Sequence, residues 1–244
     1  SGTGPFTVFA PTNGAFADIA STVAGLTTPQ LSTVLTYHVL GSTVARADVP
    51  LGKAITPVSG GFFKIESNNG LKITDGRNRV STITATDIQA SNGVVHLVDR
   101  VLLPADKDIA ATASALPDFS ILVEAVVAAG LASTLQGTGP FTVFAPTNAA
   151  FAALLTELGV SKADLLANTA LLTKVLTYHV VPARVLKAEV PVNTAITTVQ
   201  GQSFTVNSSL VITDQNMRTS SIVATDVFTS NGVIHVVDKV ILPK

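Results

Sequence analysis

Apolar and polar positions alternate in two regimes along this chain, first at helical and then at strand spacing, and the sequence runs through that order twice. Leu172, Val175, Leu176 and His179 stand at i, i+3, i+4 and i+7 and predict one face of a helix. Earlier, Pro117-Asp118-Phe119-Ser120 reads as a helix start. Ile121, Leu122, Ala125, Ala128 and Ala129 follow on one side until Gly130 can cap the end. Phe141–Ala145 reads as a short strand stopped by Pro146, after which Thr147 or Asn148 is placed to cap a helix carrying Phe151, Leu154 and Leu155. Beyond Pro191 the pattern turns to β-rich runs at Ser203–Val206, Leu210–Thr213, Ser221–Val227 and Val233–Leu242. Helices first and strands second make an α+β order.

Asn92-Gly93 and Asn231-Gly232 each separate β-branched runs, and Asn-Gly favours a tight hairpin turn with positive φ. In the run that follows, Val94, His96, Val98 and Leu102 share one face while Val95, Leu97, Val101 and Leu103 share the other. An apolar pattern on both faces predicts a central strand covered on both sides.

The two passes are a duplication. Gly2–Asn13 recurs unchanged as Gly137–Asn148, followed in order by Leu35–Val39 with Leu176–Val180, Ile73–Asp75 with Ile212–Asp214, and Ser91–Val94 with Ser230–Val233. A period this long means tandem domains with separate cores, not a solenoid. The boundary is placed near Pro104, giving domains 1–104 and 105–244. The second copy carries Asp106–Gln136 ahead of its Gly-Thr-Gly-Pro, whereas the first opens at Gly2. Domain 1 is thus expected to lack its N-terminal helix and to expose an apolar groove. Whether that segment is cleaved, lies outside these residues or is replaced by another chain stays open.

Composition narrows the function. Of 244 residues, 47% are hydrophobic and 13% charged, with mean hydropathy +0.48, so a packed core is assured. Fifteen Lys and Arg against sixteen Asp and Glu leave a net charge of −1, too balanced for the phosphate contacts of a nucleic-acid partner. The charge-free stretch Ala125–Thr156 is broken by Gly137, Gly139, Pro140 and Pro146, which argues against a membrane span. The absence of Cys removes disulfides and thiolate chemistry.

Three boxes resemble the fasciclin (FAS1) domain family. Gly4–Phe16 and Gly139–Phe151 match its Gly-Pro-Phe-Thr-Val-Phe-Ala-Pro-Thr-Asn-x-Ala-Phe box. Tyr37-His38 and Tyr178-His179 match its central Tyr-His, and Asn92–Pro104 and Asn231–Pro243 match its second box. The resemblance implies two tandem FAS1-like domains, each a twisted β-sandwich or wedge flanked by helices. It implies an extracellular adhesion or matrix module that works through surfaces without catalysis, secreted, at the cell surface or periplasmic. Ala-rich composition without Cys is similar to bacterial members. The family's Asp-Ile motif and Tyr-His region mark Tyr37, His38, Asp87, Ile88, Tyr178, His179, Asp226 and Val227 as candidate interaction residues. The Lys and Leu that flank Asp-Ile in integrin-binding members are replaced by Thr86 and Gln89, and by Thr225 and Phe228, which argues against integrins.

Partners are therefore other proteins or cell-surface and matrix components. An alternative is a self-assembling subunit of a surface fibre or layer, a homo-oligomer through the groove of domain 1. A small-ligand or polysaccharide binder would need a pocket between the domains or beside the Tyr-His helix. The four histidines invite a metal or acid–base role, but their apolar stripes point to buried, hydrogen-bonded rings. No Gly-x-Ser-x-Gly elbow occurs, and Gly2-Thr3-Gly4 precedes a strand instead of opening a helix. No enzyme, cofactor or metal is expected.

Overall fold

The computed structural model describes residues 2–244, and the chain separates into two compact units, Ser1–Asp106 and Lys107–Lys244. Unit 1 runs β1 (Phe6–Pro11), α1 (Asn13–Ala17), α2 (Ala20–Ala24), α3 (Thr28–Thr36), β2 (Val39–Leu40), β3 (Ala54–Ile55), β4 (Phe63–Ser67), β5 (Leu71–Thr74), β6 (Val80–Ala90) and β7 (Gly93–Val98). Unit 2 begins with three further helices, α4 (Ile109–Ser114), α5 (Ser120–Ala128) and α6 (Ala132–Leu135). It then repeats the order: β8 (Phe141–Pro146), α7 (Asn148–Leu158), α8 (Lys162–Ala167), α9 (Thr169–Tyr178), β9 (Val180–Val181), β10 (Ile196–Thr197), β11 (Ser203–Val206), β12 (Val211–Thr213), β13 (Thr219–Thr229) and β14 (Gly232–Val237).

Each unit is one seven-stranded sheet with helices against it. The order is β2-β1-β7-β6-β5-β4-β3 in unit 1 and, read from the other edge, β9-β8-β14-β13-β12-β11-β10 in unit 2. Only β1 with β7, and β8 with β14, run parallel; every other neighbour is antiparallel. The sheet curls until its edges meet, since Val58 N donates to Val39 O at 2.8 Å and Val199 N to Val180 O at 2.7 Å. The long strands β6 and β13 make the bend possible. Each loses register twice, and Asp87 and Asp226 sit in the left-handed region there, φ 59° and 61°. Asp tolerates that conformation better than the β-branched residues around it.

Inside the curl an aromatic cluster fills the core. Phe9 meets Phe63 edge-on at 5.4 Å, Phe144 meets Phe204 at 5.0 Å, and Tyr37 and Tyr178 close on the same phenylalanines at 5.8 and 5.9 Å. A second core lies between sheet and helices. In unit 2 it is extensive, with Val143, Ala145, Phe151, Leu154, Leu172, Leu176 and Ile234 all packed under α4–α6. In unit 1 the corresponding buried cluster shrinks to Ala15, Val34, Val101 and Leu103. Leu35 is 47% exposed where its counterpart Leu176 is 4% exposed.

Helix boundaries follow local chemistry. Thr147 Oγ1 accepts from Ala150 N at 3.2 Å and caps α7, and Thr12 does the same for α1. Gly130, φ +67°, ends α5, and Leu131 N reaches back to Val126 O at 3.0 Å.

Two expectations change. The run expected to extend to Leu242 leaves the sheet at Val237, and Val101–Leu103 are buried as an irregular segment after β7. The hairpin turn is Ser91-Asn92, because Ala90 pairs with Gly93 and Thr229 with Gly232. Gly93 and Gly232 are extended first residues of β7 and β14 and pair with Phe6 and Phe141. Glycine is required there by proximity, since a Cβ would clash with the Phe6 or Phe141 carbonyl oxygen, well inside van der Waals contact. Gly232→Ala should therefore destabilise unit 2 by about 2–3 kcal/mol through forced separation of β8 and β14. Urea denaturation checks it, and a loss under about 0.5 kcal/mol would contradict the close packing.

Candidate functional site

The eight candidate residues gather around two positions in each unit, the end of the Tyr-His helix and the bend of the long strand. Tyr37 and Tyr178 are fully buried. The Tyr37 hydroxyl donates to Phe62 O, and that of Tyr178 donates to Ser203 O at 2.9 Å. Burial pushes the Tyr37 phenol above its ordinary range and the Tyr178 phenol up to about 12.

His38 and His179 each bridge two backbone groups. Nδ1–H donates to the carbonyl four residues back, Val34 O at 2.7 Å and Val175 O at 2.8 Å. Nε2 accepts from Leu102 N at 2.8 Å and Ile241 N at 3.1 Å. These partners fix the Nδ1–H neutral tautomer. A second proton would face a backbone N–H, and burial lowers both basicities, His179 to about 4.

Asp87 and Asp226 sit at the bend with the other two histidines. The register shift frees their backbone N–H, which donates to His96 Nδ1 and His235 Nδ1 at 3.2 Å in both units. The opposite nitrogens donate to Val44 O and Val185 O at 2.9 Å, the reverse tautomer. The carboxylates turn to short 3₁₀ turns, accepting from Arg46 N and Lys187 N at 2.8 Å. All eight imidazole nitrogens thus meet backbone groups. Among the described residues, no three His, Asp or Glu converge as metal donors.

Of the eight candidates, Ile88 is the one well exposed, at 44%, while Val227 is half-buried against the helical layer of unit 2. No helix among the described residues is long and apolar enough to cross a membrane.

Other residues prove equally important and were signalled by repetition alone. Asp75, 1% exposed, accepts from Arg79 Nη2 at 2.7 Å and Leu103 N at 3.0 Å; Asp214 accepts from Leu242 N at 2.9 Å. Asn231 clamps the helical layer to the sheet. Its Oδ1 accepts from Ile109 N at 3.0 Å, and its Nδ2 donates to Leu135 O and Gly137 O at 2.7 Å. Asn148 holds the start of α5, accepting from Ile121 N at 2.9 Å and donating to Pro117 O at 3.0 Å. Asn92, the counterpart of Asn231, donates to Gly2 O at 3.0 Å.

The model of the fasciclin domain family matches residues 1–104 and 117–243. The pig transforming growth factor-beta-induced protein ig-h3 is 28% identical over 99% of this chain, which spans 35% of that protein. The Synechocystis protein sll1483 is 44% identical over 51% of the chain and 67% of its own length. The solved FAS1 domain pair from the insect cell adhesion molecule Fasciclin I has 18% identity and a TM-score of 0.54, covering 97% of this chain and 88% of that one. It shows the fold of a tandem pair.

Two outcomes follow from the geometry. A histidine that is neutral in the fold and protonates near 6.5 when unfolded stabilises the fold fully above that pH, and the stability is lost as pH falls through 6.5 towards 4. By pH 5 His179 should have cost unit 2 about 2 kcal/mol, and His38 acts in the same direction on unit 1. Urea midpoints should fall between pH 7 and pH 5; flat midpoints would contradict the buried neutral rings. Asn231→Ala should cost about 2–4 kcal/mol by orphaning three backbone groups and speed amide exchange through α4–α6, whereas Asn92→Ala should cost under about 1 kcal/mol. Equal effects would deny the clamp.

Proposed function

The chain belongs to the fasciclin domain family in both of its halves, and from that premise we propose that it is an extracellular adhesion or matrix-interaction module acting through its surfaces without catalysis. One observation carries the reading: the polar residues repeated in both halves are turned to the chain's own backbone. The histidines, Asp75, Asp87, Asp214 and Asp226 hold main-chain groups, and Asp99 and Asp238 receive Thr82 N and Ser221 N at 2.7 Å. Side chains so engaged maintain shape and leave recognition to the exterior. The partner is another protein or a cell-surface or matrix component, and the setting is secreted, cell-surface or periplasmic. The family resemblance and the cell adhesion molecule with the same fold support this reading.

Contact is assigned to the outer end of β6, where Ile88 stands exposed beside the buttressed Asp87. A low charge density favours recognition by shape and buried apolar area over electrostatic steering. A second reading, self-association of copies through the helix-side face of unit 1, is favoured by Leu35 and Ile88 at 47% and 44% exposure.

Cell attachment to surfaces coated with the chain tests the first reading. Ile88→Glu should lower attachment several-fold while leaving the thermal midpoint within about 2 °C, since the side chain is exposed. Unchanged attachment would remove Ile88 from the contact. Sedimentation at increasing concentration tests the second: oligomers dispersed by Leu35→Glu would favour self-assembly, and monomers throughout would exclude it.

A further inference from the structure

Beneath the helical layer of unit 2 lies a cavity of about 220 Å³ beside the Tyr-His helix α9. Val143 and Ala145 of β8 and Ile234 of β14 form its floor, Ala113 and Val126 its roof, and Leu176 of α9 one wall. Small residues create the space: Ala113 and Ala145 stand where a leucine would fill it.

Its chemistry is one-sided. No Asp, Glu, Lys or Arg reaches the wall. Thr134 and Gln136 of the lining are exposed at its outer side, while Ser114 Oγ donates to Ala110 O at 2.8 Å and Thr177 Oγ1 to Thr173 O at 2.6 Å. His179 has both nitrogens on backbone partners. A buried water wants two to four polar partners, and the buried part of this lining is apolar apart from the already engaged His179, which favours an apolar guest over water. Val127 and Val199 belong to the lining yet are 65% and 42% exposed, which gives the cavity an apolar mouth on the surface.

We propose that unit 2 binds an uncharged apolar small molecule in this cavity, held between α4–α6, the Tyr-His helix and the β8–β14 pair. An engineered cavity of about 150 Å³ accepts benzene, so the larger volume here suits a fused bicyclic hydrocarbon or an acyl or terpenoid segment of similar bulk. The assignment is made for unit 2, where the described residues cover the cavity; the counterparts of its floor and wall in unit 1 are Val8, Ala10, Val95 and Leu35.

The test is a methyl-labelled NMR titration of the whole chain with naphthalene, beside naphthalene-2-sulfonate as its charged analogue. Saturable shifts at Val126, Leu135, Leu176, Val180 and Ile234 with naphthalene, and at least tenfold weaker binding of the sulfonate, are expected. Ala113→Leu and, separately, Ala145→Val should each weaken naphthalene at least tenfold by occupying the space. No saturable shift, shifts confined to Leu35 and Ile88 of unit 1, or equal binding of the sulfonate would overturn the proposal. If both filling variants unfold, the neutral and charged pair on the unaltered chain still decides it.

Discussion

Two consecutive backbone N–H groups hold each unit together, and the rest of the structure depends on their being received. After β7 the chain leaves the sheet yet stays buried, so Leu102 N and Leu103 N lose their ladder partners in a place water does not reach. His38 Nε2 takes the first and Asp75 Oδ2 the second. In unit 2, Ile241 N and Leu242 N meet His179 and Asp214 in the same way. Leaving either group unpaired would cost about 1–3 kcal/mol. The same imidazole grips the carbonyl near the end of its helix, and the same carboxylate grips the turn that leads from β5 into β6. One helix, one turn and one irregular tail are thereby fixed to a common point, and the aromatic pair Tyr37 and Phe63 packs within that frame.

This frame explains which features could be read from the sequence. The α+β order and the helix caps depend on residues a few positions apart and were legible from spacing, and the duplication was legible from identical stretches in both halves. So was the inward placement of the histidines, because stripe and strand alternation both reported it. The role of Asn231 was not legible: its partners Ile109, Leu135 and Gly137 lie 122, 96 and 94 residues away. Read locally, Asn-Gly is a turn with positive φ; in the fold the turn sits one residue earlier and the glycine serves a parallel neighbour strand. Asp75 and Asp214 were visible as repeated letters without a reason, since the amides they receive come from the far end of the unit.

The two units also separate motif from environment. Leu35 and Leu176 occupy the same place in matching stretches, as do Asn92 and Asn231, yet each pair differs in exposure or partners. The difference lies in α4–α6, which shelter Leu176 and engage Asn231. Identical side chains are thus sheltered only where a helical layer lies over them. Burial here is a property of the layer laid over the sheet, and the sheet itself closes in both units by the same edge hydrogen bonds.

That independence has a consequence for recognition. The curled sheet and its histidine-carboxylate anchor are built apart from the helical layer, because the aromatic core lies inside the curl, on the opposite side from that layer. Residues on the helix side are accordingly free to leave space without undoing the fold. Unit 2 leaves space, through Ala113 and Ala145 under a layer pinned by Asn148 and Asn231. The same sheet therefore carries a different extent of helical cover among the described residues of each half, while its own construction does not change.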